Sequence, residues 1–189
     1  MRYTFQALLL AVVTLCGALA VADDDSAAIE RFRAAGAGSM LDTAYGYAVF
    51  PTIGKGGIGI GGAYGEGRVY KRGGALAGNT SVAQVTWGLQ LGGQAYSQLI
   101  LFEDERSYKD FTSGNFEFGA QATAVALTAA AGAEANTTGA GTNVSGGQND
   151  AAIASAGYRK GMAVFTIAKG GLMYEATIGG QKFDFKPAK

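Results

Sequence analysis

YGYAVFPTIGKGGIGIGGAYGEGRVY, residues 45–70, is the stretch on which the reading of the fold turns. Gly57, Gly59 and Gly62 match the G-x-G-x-x-G spacing that lets a backbone approach a pyrophosphate. That chemistry needs a helix opening at the third glycine, because the helix N-terminal N–H groups hold the phosphate. Here Gly57-Ile58-Gly59-Ile60-Gly61 alternates with a period of two, which is the period of a strand. A P-loop is excluded as well, since Gly54-Lys55 is followed by Gly56 and not by Ser or Thr. The glycines therefore serve a strand that bends sharply, or one whose bare backbone another surface approaches closely.

Working outward, Tyr47 to Phe50 reads as a strand that Pro51 closes, because proline cannot donate to a central ladder. Gly65-Glu66-Gly67 reads as a hairpin-like bend between Gly57–Tyr64 and Arg68–Lys71. Upstream, residues 26–35 are alanine-rich with Ile29 and Phe32 three apart, an amphipathic helix that Gly36 and Gly38 should break. Ser39-Met40-Leu41-Asp42 has capping-box spacing and predicts a second helical turn. Downstream, residues 81–92 alternate so as to place Val82, Val85, Trp87, Leu89 and Leu91 on one face, with one slip. Residues 96–102 form a further strand, and 104–111 a helix with Glu105 and Lys109 as an i,i+4 pair and Tyr108 and Phe111 inward. Residues 116–130 alternate through small side chains, 131–150 are low in complexity and read as a flexible loop, and 162–185 read as an antiparallel meander.

Composition narrows the function. Met1-Arg2, the apolar run 7–15 and Ala20-Val21-Ala22 have the layout of a secretory signal peptide over residues 1–22. Its removal leaves 167 of the 189 residues, enough for one domain, residues 23–189, with a core. A lipoprotein anchor on Cys16 is the rival reading, disfavoured by Leu15 where a small residue belongs. The expected location is thus exported: the periplasm or the periphery of the outer membrane. With Arg2 gone, 14 basic side chains face 15 acidic ones, so no global field attracts nucleic acid. The chain has no histidine, and its single cysteine lies in the leader. Ser-His-Asp and Cys-His catalysis and His/Cys zinc sites are therefore absent, and a non-enzyme without cofactor is expected. Glu103-Asp104-Glu105, the one acidic cluster beyond Asp23–Asp25, reads as a solvated helix start and lacks EF-hand spacing.

Gly46-Tyr47-Ala48-Val49-Phe50-Pro51, the GKGGIGIGGAYGEG run at 54–67, Leu91-Gly92-Gly93-Gln94 with Leu99-Ile100-Leu101-Phe102, Phe111 and GGLMYEATIGGQKF at 170–183 together resemble the SYLF family. The resemblance covers about residues 26–187. It implies a β-rich core with N-terminal helices, phospholipid binding and no catalysis. Eukaryotic members associate phosphoinositide binding with a basic amphipathic N-terminal segment, where this chain offers only Arg31 and Arg33 beside Asp23, Asp24, Asp25 and Glu30. Residues and resemblance lead to an α+β, β-rich fold, a curved antiparallel sheet or half-barrel with short N-terminal helices and one inserted helix.

The partner expected is a phospholipid or a membrane surface, with a protein partner as the alternative. The candidate lipid-binding residues are Arg31, Phe32, Arg33, Lys55, Lys71, Arg72, Arg159 and Lys160. Phe32 would insert among acyl chains, where a fully buried side chain contributes roughly 2 kcal/mol, although it equally suits packing on the sheet. Lys55, within glycine-rich backbone, would meet a headgroup phosphate in a nest of N–H groups. Lys71-Arg72 and Arg159-Lys160 would add charge, each worth about 1 kcal/mol at an anionic surface. Trp87 and Tyr45, Tyr47, Tyr64 and Tyr70 are the candidate interfacial aromatics. An embedded β-barrel is disfavoured, since helices interrupt the strands.

Overall fold

A computed structural model of the protein describes residues 25–58, 60–87, 93–119, 122, 124–127, 157–169 and 178–189. The leader 1–22, the loop 131–150, Leu89, Leu91 and nearly all of the strand expected at 172–178 lie outside the described residues. The described residues open with a helix over residues 25–32 (α1) and a wide π turn, Arg33–Ala37, leading into α2 (Gly38–Thr43). Then come β1 (Gly46–Ile58), β2 (Ile60–Lys71), β3 (Leu76–Trp87), β4 (Gly93–Phe102) and α3 (Glu105–Phe111). The remaining described elements are β5 (Phe116–Glu117), β6 (Val125–Leu127), β7 (Met162–Lys169) and β8 (Lys182–Pro187). The strands form one sheet in the order β5-β8-β3-β2-β1-β4-β7-β6, antiparallel except for β6 against β7. It is curled into a half-barrel.

Alternation along the strands sorts side chains to two cores. Ala48, Phe50, Val69, Val82, Ile100, Phe102, Val164 and Phe183 point into the concave side. Val49, Leu99, Leu101, Phe165 and Ile167 point to the convex side, where α1 and α2 cover them with Ala28, Phe32, Ala35, Ala37 and Leu41. Ala28, Phe32 and Ala35 recur at the spacing of one helix face, and the alanines let the helix lie close to the sheet. The curl brings β4 and β8, four places apart in the sheet order, into contact. The Gln98 Nε2 donates to Gln181 Oε1 at 3.0 Å, and Gln181 Nε2 donates to Tyr96 Oη at 3.0 Å and Gln98 Oε1 at 3.2 Å. Phe111 of α3 plugs one end of the concavity, its ring centroid 5.0 Å from both Phe102 and Phe183.

The glycine-rich stretch corrects two expectations. β1 does not stop at Pro51; it runs through as a central strand, paired to β2 on one side and β4 on the other. A bulge makes this possible: both registers shift there, so Phe50 and Ile53, three apart, point into the same core. The Ser97 hydroxyl donates to the Pro51 carbonyl at 2.8 Å within it. Nor is Gly65-Glu66-Gly67 a bend. β2 is continuous, and these glycines lie against the bulge, where a Cβ on Gly65 would sit 2.8 Å from the Thr52 carbonyl and one on Gly67 2.6 Å from the Phe50 ring. Close approach of another backbone is the role they serve. No helix follows Gly62, which lies in β2, so the dinucleotide reading falls with the topology.

Other local readings also shift. Gly36 does turn the chain, at φ 103°, yet helix resumes at Gly38. Ser39 does not cap α2, which begins before it with no side-chain cap, and Asp42 pairs instead with Arg33 at 2.8 Å. On β3, Val85 is 66% exposed while Gln84 is buried, because the ladder with β2 runs without a slip from Val69↔Gly78 to Ile60↔Trp87. The described ladders also do not make β7 and β8 a meander: β7 pairs with β4 and β6, β8 with β3 and β5. The helix at 104–111 matches its expectation closely. Asp104 accepts from the Ser107 N–H at 2.8 Å in a capping box, and Lys109 meets Glu105 at 2.9 Å.

Candidate functional site

The sheet register gathers half of the sequence-derived candidates at one end. Lys71, Gly46, Phe102 and Met162 are mutual ladder partners in a row across β2, β1, β4 and β7. Arg72 follows Lys71 in the β2–β3 turn, and Arg159 and Lys160 form the turn that enters β7, closed by the bridge of Arg159 to Met162. All four are exposed. Lys71, Arg159 and Lys160 take part in no ion pair among the described residues. Arg72 has structural work as well: its Nε donates to the Ala44 carbonyl at 3.0 Å and an Nη to that of Thr43 at 2.6 Å. A cation there satisfies the carbonyls at the end of α2 and complements the helix dipole.

Two neighbours at this end were not among the sequence candidates. Leu76 is 48% exposed at the start of β3, beside the basic turn. Lys189 is brought alongside by the Ala188 N–H, which donates to the Ala77 carbonyl at 2.9 Å. An exposed leucine next to Gly73-Gly74 and a lysine in the last residues were the available signals, but only pairing of β8 with β3 unites them. Tyr45, also exposed, packs edge-on against Tyr108 at 5.6 Å. The Tyr158 phenol is pushed up by burial and by the Glu103 carboxylate, with Arg72 opposing. The charges of α3 are largely spent on one another, Arg106 reaching Asp104 and Asp110 and Lys109 reaching Glu105.

The other candidates lie elsewhere. Lys55 is nine residues along β1 from Gly46, roughly 30 Å at strand rise. Its backbone pairs with Ala63 on one side and Gln94 on the other, so the N–H groups of this run are in ladders and form no nest for a phosphate. Arg31 is exposed on α1, and Arg33 is occupied by Asp42 at 2.8 Å and Glu30 at 3.9 Å. Phe32 is fully buried beneath α1, so the acyl-inserting role considered for it gives way to core packing. Tyr47 and Tyr70 stack at 5.2 Å beneath the same helix, leaving Tyr45 and Tyr64 as the exposed tyrosines of the four. The side chain of Trp87 is outside the description.

A groove for acyl chains inside the curved sheet is likewise not what the described residues form. Large aromatics and the Gln98–Gln181 pair fill the concavity. The convex face of β2, β3 and β8 carries Glu66, Arg68, Asn79, Asp184 and Lys186 in place of the apolar band of an embedded barrel. No helix among the described residues is long and apolar enough to cross a membrane.

Comparison with known proteins gives one family. The model described as Ysc84, Las17-binding protein actin regulator, matches residues 83–185, more than half of the chain. No curated protein matches the chain.

Proposed function

Because this chain belongs to the Ysc84 family of SYLF domains, we propose that it is a non-enzymatic protein that docks on phospholipid surfaces through the end bearing Lys71, Arg72, Leu76, Arg159 and Lys160. One observation carries the reading: one row across β2, β1, β4 and β7 brings two basic turns far apart in sequence to the same end of the sheet, the first of them next to an exposed leucine. Cations near an anionic leaflet contribute about 1 kcal/mol each, and Leu76 adds apolar contact at the same level. The leader-like residues 1–22 place the protein, on this proposal, in the envelope of a bacterium, at the periplasm or the outer-membrane periphery. The surface it meets there is an anionic phospholipid face and not a phosphoinositide.

Flotation with vesicles of phosphatidylcholine, with and without phosphatidylglycerol, tests this. The protein should float with the anionic vesicles and lose binding as salt rises. Replacing Lys71, Arg159 and Lys160 together by Ala removes about 3 kcal/mol, roughly a hundredfold in affinity. Absence of flotation at low salt, or a triple variant that floats like the parent, overturns the proposal. The family description favours a second reading, in which the same end meets a protein ligand of the Las17 kind. Salt-insensitive capture of such a ligand without vesicle binding would establish that reading in its place.

A further inference from the structure

The convex side of the half-barrel holds a second surface, away from the basic end. It is a groove of about 820 Å³ floored by β1, β2, β3 and β8. The ladders set its side chains in three rows. In the first, Tyr64 stands between Gly54 on β1 and Ala83 on β3. With such small neighbours its ring is 58% exposed, and a Cβ on Gly54 would meet nothing within 4 Å. In the second row, Thr52, Glu66, Ser81 and Asp184 are direct partners across all four strands, rich in acceptor oxygens. In the third, Arg68, Asn79 and Lys186 supply donors.

The charges nearly cancel. Glu66 and Asp184 stand against Lys186 and Lys169, whose Nζ reaches Thr52 Oγ1 at 2.5 Å. The Arg68 guanidinium is matched by the nearly buried Asp25 carboxylate at 3.1 Å. A phosphate, a nucleic acid or a strongly basic peptide finds no complementary field here. What the rows do match is a ligand with an apolar face to lie on an aromatic ring and hydroxyls around its edge that both donate and accept. From Tyr64 to Arg68 is about 13 Å along β2, and four strands span about 14 Å, which is room for several linked units. We propose that this face binds a neutral glycan chain, with a sugar ring on Tyr64 and its hydroxyls shared between the acceptor and donor rows.

Glu66 fixes the platform, accepting the Tyr64 hydroxyl at 3.1 Å and so holding the phenol in place. Tyr64 lies seven residues from Lys71, roughly 23 Å along β2, so this surface and the basic end are separable. The test is calorimetric or NMR titration of the whole protein with N-acetylglucosamine hexamer and cellohexaose, with an oligolysine peptide as comparator. Saturable binding of a neutral oligosaccharide is expected, insensitive to salt. Tyr64→Ala should weaken it about tenfold, while Tyr64→Phe keeps most of it. Both variants should melt with the parent and float with anionic vesicles as it does. No saturable binding at millimolar oligosaccharide, binding indifferent to Tyr64→Ala, or salt-sensitive preference for the peptide overturns the proposal.

Discussion

Replacing Gln181 by Met tests what holds the half-barrel closed. Gln98 and Gln181 are fully buried and Tyr96 is 4% exposed, and three hydrogen bonds of 3.0–3.2 Å join them across the concavity. Methionine fills nearly the volume of glutamine, so Gln181→Met removes those bonds without a large cavity. It strands the Gln98 amide and the Tyr96 hydroxyl away from water. A buried polar group that loses its partner costs about 1–3 kcal/mol, so two such groups cost about 4 kcal/mol. The backbone role of Gln181, accepting from the Phe118 N–H and donating to the Ile178 carbonyl, is unaffected by the change. Adding Gln98→Met leaves only the Tyr96 hydroxyl stranded, and adding Tyr96→Phe leaves nothing. Stability should therefore fall sharply in the single variant and recover stepwise in the double and triple. Urea unfolding followed by far-UV dichroism reads this as midpoint shifts at constant slope. A single variant within about 1 kcal/mol of the parent, or a triple variant less stable than the single, refutes the reasoning.

Two further outcomes follow from the same geometry. Gly67→Ala forces a Cβ to 2.6 Å from the Phe50 ring and closer still to the Val49 carbonyl, both inside the bulge, and should cost about 3 kcal/mol in chemical denaturation. Gly54→Ala, which meets nothing, is the matched control and should stay within about 0.5 kcal/mol of the parent; equal effects would sink the close-approach account. Burial pushes the Tyr96 phenol up to about 12 from its ordinary 10, a hydrogen bond with Gln181 opposing. The folded state thus holds a proton that the unfolded chain releases first. Its stabilisation is complete below pH 10 and is lost as pH rises toward 12, by about 2–3 kcal/mol. Tyr96→Phe should flatten that part of the stability profile, and an unchanged alkaline slope would contradict it.

Much of the architecture was legible because it depends on local periodicity. The period of two through residues 57–61 excluded a nucleotide-binding turn, and the acidic start at Glu103–Glu105 with the Glu105–Lys109 spacing marked α3, although not its capping box. Pro51 and Gly65-Gly67 misled for a physical reason. Taken singly they are strand breakers, but a bulge removes the proline from the ladder and the glycines make room for it. Val85 misled because alternation cannot say which face is the core, and the polar Gln84 proved to be the inward residue.

The candidate site divides in the same way. Sequence by itself determined which residues carry charge, that histidine chemistry is missing and cysteine is confined to Cys16, and that the chain is built of strands. Those properties belong to residue types and their near neighbours. Which cations act together was decided only by tertiary structure. Lys71 and Lys160 share one end of the sheet because β1 and β4 carry the row of β2 across to β7, whereas Lys55, closer in sequence to Lys71, is carried to the far end of the same strand pair. A strand converts sequence separation into distance, and a ladder cancels it. Phe32, which the sequence left even between acyl insertion and packing on the sheet, lies in the core because the tertiary fold lays that face of α1 on the sheet.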